Sequence, residues 1–160
     1  MIVVCDSTVL IGLCRIGKLE LLQDVFGQIS IPKAVFAEVT EKGLNRPGAK
    51  SLIEADWIKV TEIKDRSQVT FLLGTLDKGE AEVLALAKEF KADLILLDEG
   101  KARKIAVIAG FDVMGLLGLF LLAKKTGLVQ RIGPLIEDLR RKNFRISDRV
   151  VSEALKRAGE

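Results

Sequence analysis

The chain has 160 residues, 49% of them hydrophobic and 29% charged, with a net charge of +3. That is enough apolar material for the core of one domain spanning 1–160, and too little charge to argue nucleic-acid binding by itself. There is no histidine and no tyrosine, which excludes a Ser-His-Asp triad, a histidine acid–base pair and a histidine-ligated zinc site.

The chain opens with "MIVVCDSTVLIGL", in which Asp6 is held between two apolar runs. "IVVCD" reads as a buried strand. Ser7 can cap a helix running through Ile16, with Gly17 just past its end. Cys5 and Cys14 form no CxxC pair and are too few for a zinc cage. They read as buried thiols in a reducing compartment. No basic segment of a secretory leader precedes the first strand, so a cytoplasmic protein is expected. "KLELLQDVFG" is a second helix ending at Gly27, and "QISIP" a second strand. Pro32 opens a third helix, "PKAVFAEVTEKG", and "RPGAKSLIEAD" is a fourth.

"WIKVTEI", "DLILLD" and the short "GFDVMG" supply three more strands. Helical patterns follow in "DKGEAEVLALAKEF", "GKARKIAVIAG", "GLLGLFLLAKKTG", "GPLIEDLRRKN" and "SDRVVSEALKRAG". Strands alternating with helices indicate an α/β sandwich around a mostly parallel sheet. The most apolar stretch, "VMGLLGLFLLA", covers about 11 residues, short of the roughly 20 that cross a membrane. It suits a core helix, or a flat face for a homodimer. "NFRIS" is the weakest joint, and the last helix, 147–159, reads as an appendage beyond it.

Two strands end in aspartate, at Asp6 and Asp98. Ligands of open parallel sheets bind outside the carboxyl ends of the strands. If the two strands are neighbours, the carboxylates lie side by side and repel, and a divalent cation removes the conflict. The competing reading is that each aspartate caps the helix after it. Glu38 borders the apolar side of its helix at i+3 from Val35, or else forms a surface pair with Lys42. Glu80 shares an inward stripe with Val83, Leu84 and Ala87, whereas Glu82 shares one with Lys78 and Glu89 and is expected to face water. Asp77 and Glu80 also have capping-box spacing, which would turn Glu80 back on the helix start. Gly79 is a poor helix former there, which points to a close approach.

Residues 131–157 hold eight Lys/Arg (Arg131, Arg140, Arg141, Lys142, Arg145, Arg149, Lys156, Arg157) against four acids, a local net of +4. Lys101, Arg103 and Lys104 follow Asp98 directly. Such cations beside an acid cluster suit a phosphate backbone, or else form an ordinary solvated helix face.

Four stretches, in order, resemble the PIN-domain proteins. "DSTVLIGLCRIGKLELLQDVFGQISIPKAVFAEV" is similar to a prokaryotic branch that reads D-S-S-x-L-I-x-L and then x-I-P-x-x-V-x-x-E-V. "LDKGEAEVLALA" is similar to its G-E-A-E helix, "LILLDEGKARKIA" to its L-x-D-[DE]-x-x-[AG]-R-x-x-A, and "VMGLLGLFLLAKKTGLV" to its G-T-x-G-x-L-x-x-A-K-x-x-G. The likeness runs from Ile2 to about Arg145. Leu116 stands where relatives often carry Thr.

The resemblance implies a three-layer α/β/α sandwich and a metal-dependent nuclease, usually of single-stranded RNA. Its acidic quartet would fall on Asp6, Glu38, Glu80 and Asp98. Ser7 and Thr8 match the hydroxyl positions after the first acid, and Arg103 matches the branch's arginine. With Lys101, these would face the substrate. Carboxylates without histidine suit Mg²⁺ or Mn²⁺, used to activate water for attack on a phosphodiester. Many such nucleases resemble toxins held by a small antitoxin partner. The alternative is a non-catalytic nucleic-acid-binding module with a vestigial or structural metal site. A dehalogenase-type phosphohydrolase would need D-x-D after the first strand, but position 8 is Thr. A phosphoacceptor receiver would need paired acids there and a mid-chain Asp, and Asp98 falls too late.

Overall fold

A computed structural model of the chain describes residues 1–42, 47–98 and 100–160, with Lys42 and Pro47 described by backbone alone. Five strands, β1 (Val3–Cys5), β2 (Ile29–Pro32), β3 (Ile58–Thr61), β4 (Leu94–Leu96) and β5 (Val113–Met114), form one sheet in the order β3-β2-β1-β4-β5. Every pairing is parallel. The strands are short, and β1, β2 and β4 are buried along their whole length. Burial on both faces is what their unbroken Val/Ile/Leu runs require.

Ten helices surround the sheet among the described residues: α1 (Ser7–Arg15), α2 (Leu21–Phe26), α3 (Lys33–Lys42), α4 (Pro47–Glu54), α5 (Arg66–Leu72), α6 (Lys78–Phe90), α7 (Lys101–Ile108), α8 (Leu116–Lys125), α9 (Gly133–Arg141) and α10 (Asp148–Ala158). The steps β1→β2→β3 run one way along the sheet and β3→β4→β5 the other. Right-handed crossovers therefore put α1–α4 and α5–α7 on opposite faces, giving the three-layer α/β/α sandwich. Helix α6 lies against β1 and β2 with α5 and α7 beside it, and the first turn of α3 meets its start past the strand ends, while α8 joins α2 on the other side, with α10 packed on α8. The core includes Leu10, Leu13, Leu86, Ile95, Leu119 and Phe120, each fully buried. Each such side chain contributes about 1.5–3 kcal/mol by leaving water. Leu116, Leu117, Leu119, Phe120 and Ala123 are all buried, so α8 is a core helix.

All five expected strands form. Differences lie at helix starts and in one missing element. Asp6, not Ser7, holds the position just before α1, and Ser7 is the first helical residue. The Asp6 backbone stays extended (φ −85°, ψ 162°) because its N–H still bonds the Leu96 carbonyl at 2.9 Å. Pro32 ends β2 opposite Thr61, and α3 begins one residue later. Helix α2 starts at Leu21, after a turn over Lys18–Glu20. The expected limits of the third helix at Gly43 and of the fourth at Arg46 fall outside the described residues, as does the side chain of Lys42. Helix α5 has no counterpart in the sequence reading. Asp65 starts it by accepting from the Ser67 N–H at 3.1 Å.

Candidate functional site

Strands β1 and β4 are neighbours in the sheet centre, with Cys5 opposite Leu96. The chain leaves β1 in one direction and β4 in the other, so a crevice opens beyond their carboxyl ends. Asp6 follows β1 directly and Asp98 lies two residues past β4.

Asp6 exposes only 5% of its surface. Its side chain makes no capping bond to α1, and its Oδ1 is buried with no hydrogen-bond partner among the described residues. Burial pushes its carboxyl upward, and the Ser7 N–H pulls it down. Glu38, Glu80 and Asp77 push it up again, to about 7. A buried carboxylate with an unmet oxygen is costly. Here three more acids crowd it.

Those acids come from two helices. Glu38 stands on α3, half-buried. Gly79, at the start of α6, makes room for it: a Cβ there would lie 3.1 Å from Glu38 Oε2 and 3.6 Å from Asp77 Oδ1. The close approach expected at Gly79 is thus an approach by a carboxylate. Glu80 closes a capping box, donating its N–H to Asp77 Oδ1 at 2.8 Å and accepting the Asp77 N–H on Oε1 at 3.2 Å. Burial raises its carboxyl, the Asp77 N–H lowers it, and the Asp77 and Glu38 charges raise it further, with a net upward shift.

Asp98 is engaged elsewhere. Its Oδ1 accepts the Leu116 N–H at 2.9 Å, so it caps α8 rather than α7, the helix that follows it. Gly115 permits this, since a Cβ there would sit 2.8 Å from Asp98 Oδ1 and 3.3 Å from Arg103 Nη1. Arg103 donates to the Leu97 carbonyl at 3.0 Å, which fixes its guanidinium beside Asp98. Leu116 sends its side chain to α1, against Gly12, and offers Asp98 its backbone N–H. Cys5 sits between the two aspartates. Burial first, then both carboxylates, hold its thiol well above its ordinary range.

Thus Asp6, Glu38 and Glu80 come together with Asp77, a residue the sequence reading used only as a cap, while Asp98 stands with Arg103 across the β1–β4 crevice. Among the described residues, no three acid or thiol side chains close into a ready cation cage. Ser7 is buried, Thr8 is exposed, and Lys101 is exposed at the start of α7.

Glu82 does not face water. It is 3% exposed, accepting the Ala34 N–H at 3.2 Å and the Arg66 guanidinium at 3.3 Å. Helix α5 covers the side of α6 that the pattern left to solvent, and Glu89 accepts the Asp65 N–H at 2.7 Å on the same side. Glu82 thereby ties α6 to the first turn of α3, the helix that carries Glu38.

No described helix is long and apolar enough to cross a membrane. No protein of curated description matches the chain. A family model described as PIN domain matches residues 2–160. With that span matched, and with acids gathered at the central strand ends, the chain belongs to the PIN-domain family, whose members are generally nucleases.

Proposed function

We propose that residues 1–160 act as one domain, a metal-dependent nuclease that cleaves single-stranded RNA at the crevice between β1 and β4. The observation that carries this is Asp6 Oδ1, buried and without a partner among three neighbouring acids. A fold tolerates such an oxygen when something outside the chain satisfies it. An all-oxygen donor set fits Mg²⁺ or Mn²⁺.

Asp6, Glu38 and Glu80 would hold the ion, with Asp98 completing the set from the β4 side. Such an ion supplies charge neutralisation at the scissile phosphate and a more acidic water. The chain's own residues do the rest. To join the set Glu80 would have to give up its bond to the Asp77 N–H, and one of these carboxylates would accept the proton of the attacking water. Thr8, Lys101 and Arg103, with Ser7 behind them, hold the flanking phosphates.

A second reading, a binding module without turnover, draws on one observation. Glu80 Oε1 and Asp98 Oδ1 already serve helix N-termini, and no closed cage stands among the described residues. Labelled single-stranded RNA incubated with wild type and Asp6→Asn, with and without Mn²⁺ or Mg²⁺, separates the two. Cleavage that needs both the metal and Asp6 supports the nuclease. Metal binding lost in Asp6→Asn, with no cleavage by wild type, supports the module. A toxin role, with a small antitoxin held against this crevice, is the physiological setting we propose. Co-purification of a short neighbouring gene product with intact Asp6 tests it. A homodimer is also proposed, tested by light scattering of the purified chain.

A further inference from the structure

The six arginines of the basic C-terminal region sort into two groups. Arg131 pairs with Glu160 at 3.5 Å, Arg140 with Asp148 at 2.8 Å, Arg141 with Asp138 at 3.4 Å, and Arg157 with Glu153 at 3.2 Å. These cations already have carboxylate partners. Arg145 and Arg149 have no hydrogen bond or ion pair among the described residues, and both line one open cleft of about 710 Å³.

That cleft lies between α8 and the segment from Phe144 into α10, and its far end is Thr8, Asp98 and Arg103. It therefore runs out of the proposed catalytic crevice. Leu121, Phe144 and Val150 supply an apolar floor between its polar edges. Arg149, Glu153 and Arg157 stand one helical turn apart along α10, on the edge that borders it. The wall is held at both ends. Ser147 accepts the Val150 N–H at 3.3 Å at the start of α10, and Lys124 donates to the Ala158 carbonyl at 2.6 Å at its end.

We propose that one flank of the single-stranded RNA substrate lies in this cleft, a few nucleotides from the scissile bond, with Arg145 and Arg149 on its phosphates and bases against the apolar floor. This rests on the nuclease reading above. Guanidinium forks match phosphate oxygens, and a basic edge over an apolar floor is the pattern that holds single strands without reading their sequence. An acidic peptide would use the arginines but would leave the apolar floor unfilled.

The test is fluorescence anisotropy in EDTA, where no cleavage occurs, with oligouridylates of about 4 and about 12 nucleotides, lengths spanning known single-strand sites. The proteins are wild type, Arg145→Ala/Arg149→Ala and the control Lys50→Ala, each checked by circular dichroism. The double variant should lose affinity for the longer oligomer on the order of tenfold, and its log–log salt slope should fall by about 1.4, two single-strand phosphates' worth. The shorter oligomer and the control should change little. Equal affinity and slope in wild type and double variant, while wild type still cleaves, would overturn the cleft and leave the nuclease standing. Wild type that neither binds nor cleaves would overturn both. A double variant that loses polyglutamate but keeps RNA would assign the cleft to an acidic peptide instead.

Discussion

The carboxylates of Asp6 and Glu160 are both largely covered by the chain, and they meet opposite fates. Asp6, just past β1, has an oxygen that nothing among the described residues satisfies, and it is pushed up to about 7. Glu160, beyond α10, exposes 7% of its side chain. It accepts the Ile132 N–H at 2.9 Å, the Gly133 N–H at 3.1 Å and the Lys124 ammonium at 2.9 Å. Burial raises its carboxyl, but those donors outweigh burial and bring it down to about 2. Both sites are built by one chain, so the difference is not one of available donors. A carboxylate that fastens helices is given its partners. A carboxylate left without them, with Glu38 and Glu80 nearby, is the one that the proposed function assigns to a cation.

The largest effect that sharpens this contrast is at Asp6. Asp6→Asn should fold and lose cleavage on the order of a thousandfold, because a catalytic metal is worth several kcal/mol. Its stability should move the other way. The folded pKa of about 7 exceeds the ordinary 3.8. Between those values the folded form keeps a proton that the unfolded form releases, so wild-type stability falls as pH rises through that window. The asparagine escapes this loss. In metal-free buffer near pH 8 the variant should be more stable by on the order of 3 kcal/mol, and near pH 4 the two should unfold alike. Denaturant melts at both pH values check it, and a variant less stable near pH 8 would show that Asp6 is a structural cap after all.

Next in size is Glu82→Ala, which strands the Ala34 N–H and the Arg66 guanidinium. About 2 kcal/mol of stability should be lost in urea titration. A change below about 0.5 kcal/mol, usual for a surface residue, would mean that Glu82 ties nothing.

Glu160→Gln should lower the melting temperature at neutral pH. A depressed carboxyl contributes stability that is present above its ordinary 4.5 and is lost as pH falls through about 2. The gap between variant and wild type should therefore narrow in acid. A gap that is constant with pH would point to lost packing instead of lost charge.

The smallest and most selective change is Gly79→Ala. Alanine favours the helix by up to about 1 kcal/mol, yet its methyl would press on Glu38 Oε2. Activity should fall several-fold while stability holds or rises. Full activity would remove Glu38 from the site.

Much of the architecture was legible because buried parallel strands are written as plain apolar runs, and "IVVCD" and "DLILLD" also carry their terminal acids. The partnering of those acids was not. Asp98 turns to Leu116 because Gly115 leaves space, and only the fold brings those residues together. Glu80 is the capping-box member that its spacing from Asp77 predicts, and its charge also bears on Asp6. The sequence pattern leaves Glu82 to water because it carries little sign of α5, the helix that covers it. The element is short, and its signal is the spacing of Asp65 to Gln68, a cap-like pair without a long periodic run behind it. The cleft beside α10 was legible only as a charge excess. Sequence could not say that most of those arginines are already paired.

The most direct test is Mn²⁺ binding to metal-free protein, followed by electron paramagnetic resonance, for wild type and Asp6→Asn. Stoichiometric binding by wild type that vanishes in Asp6→Asn is the predicted result. Binding of equal strength in both would contradict the claim that the unpartnered Asp6 oxygen is kept for a cation.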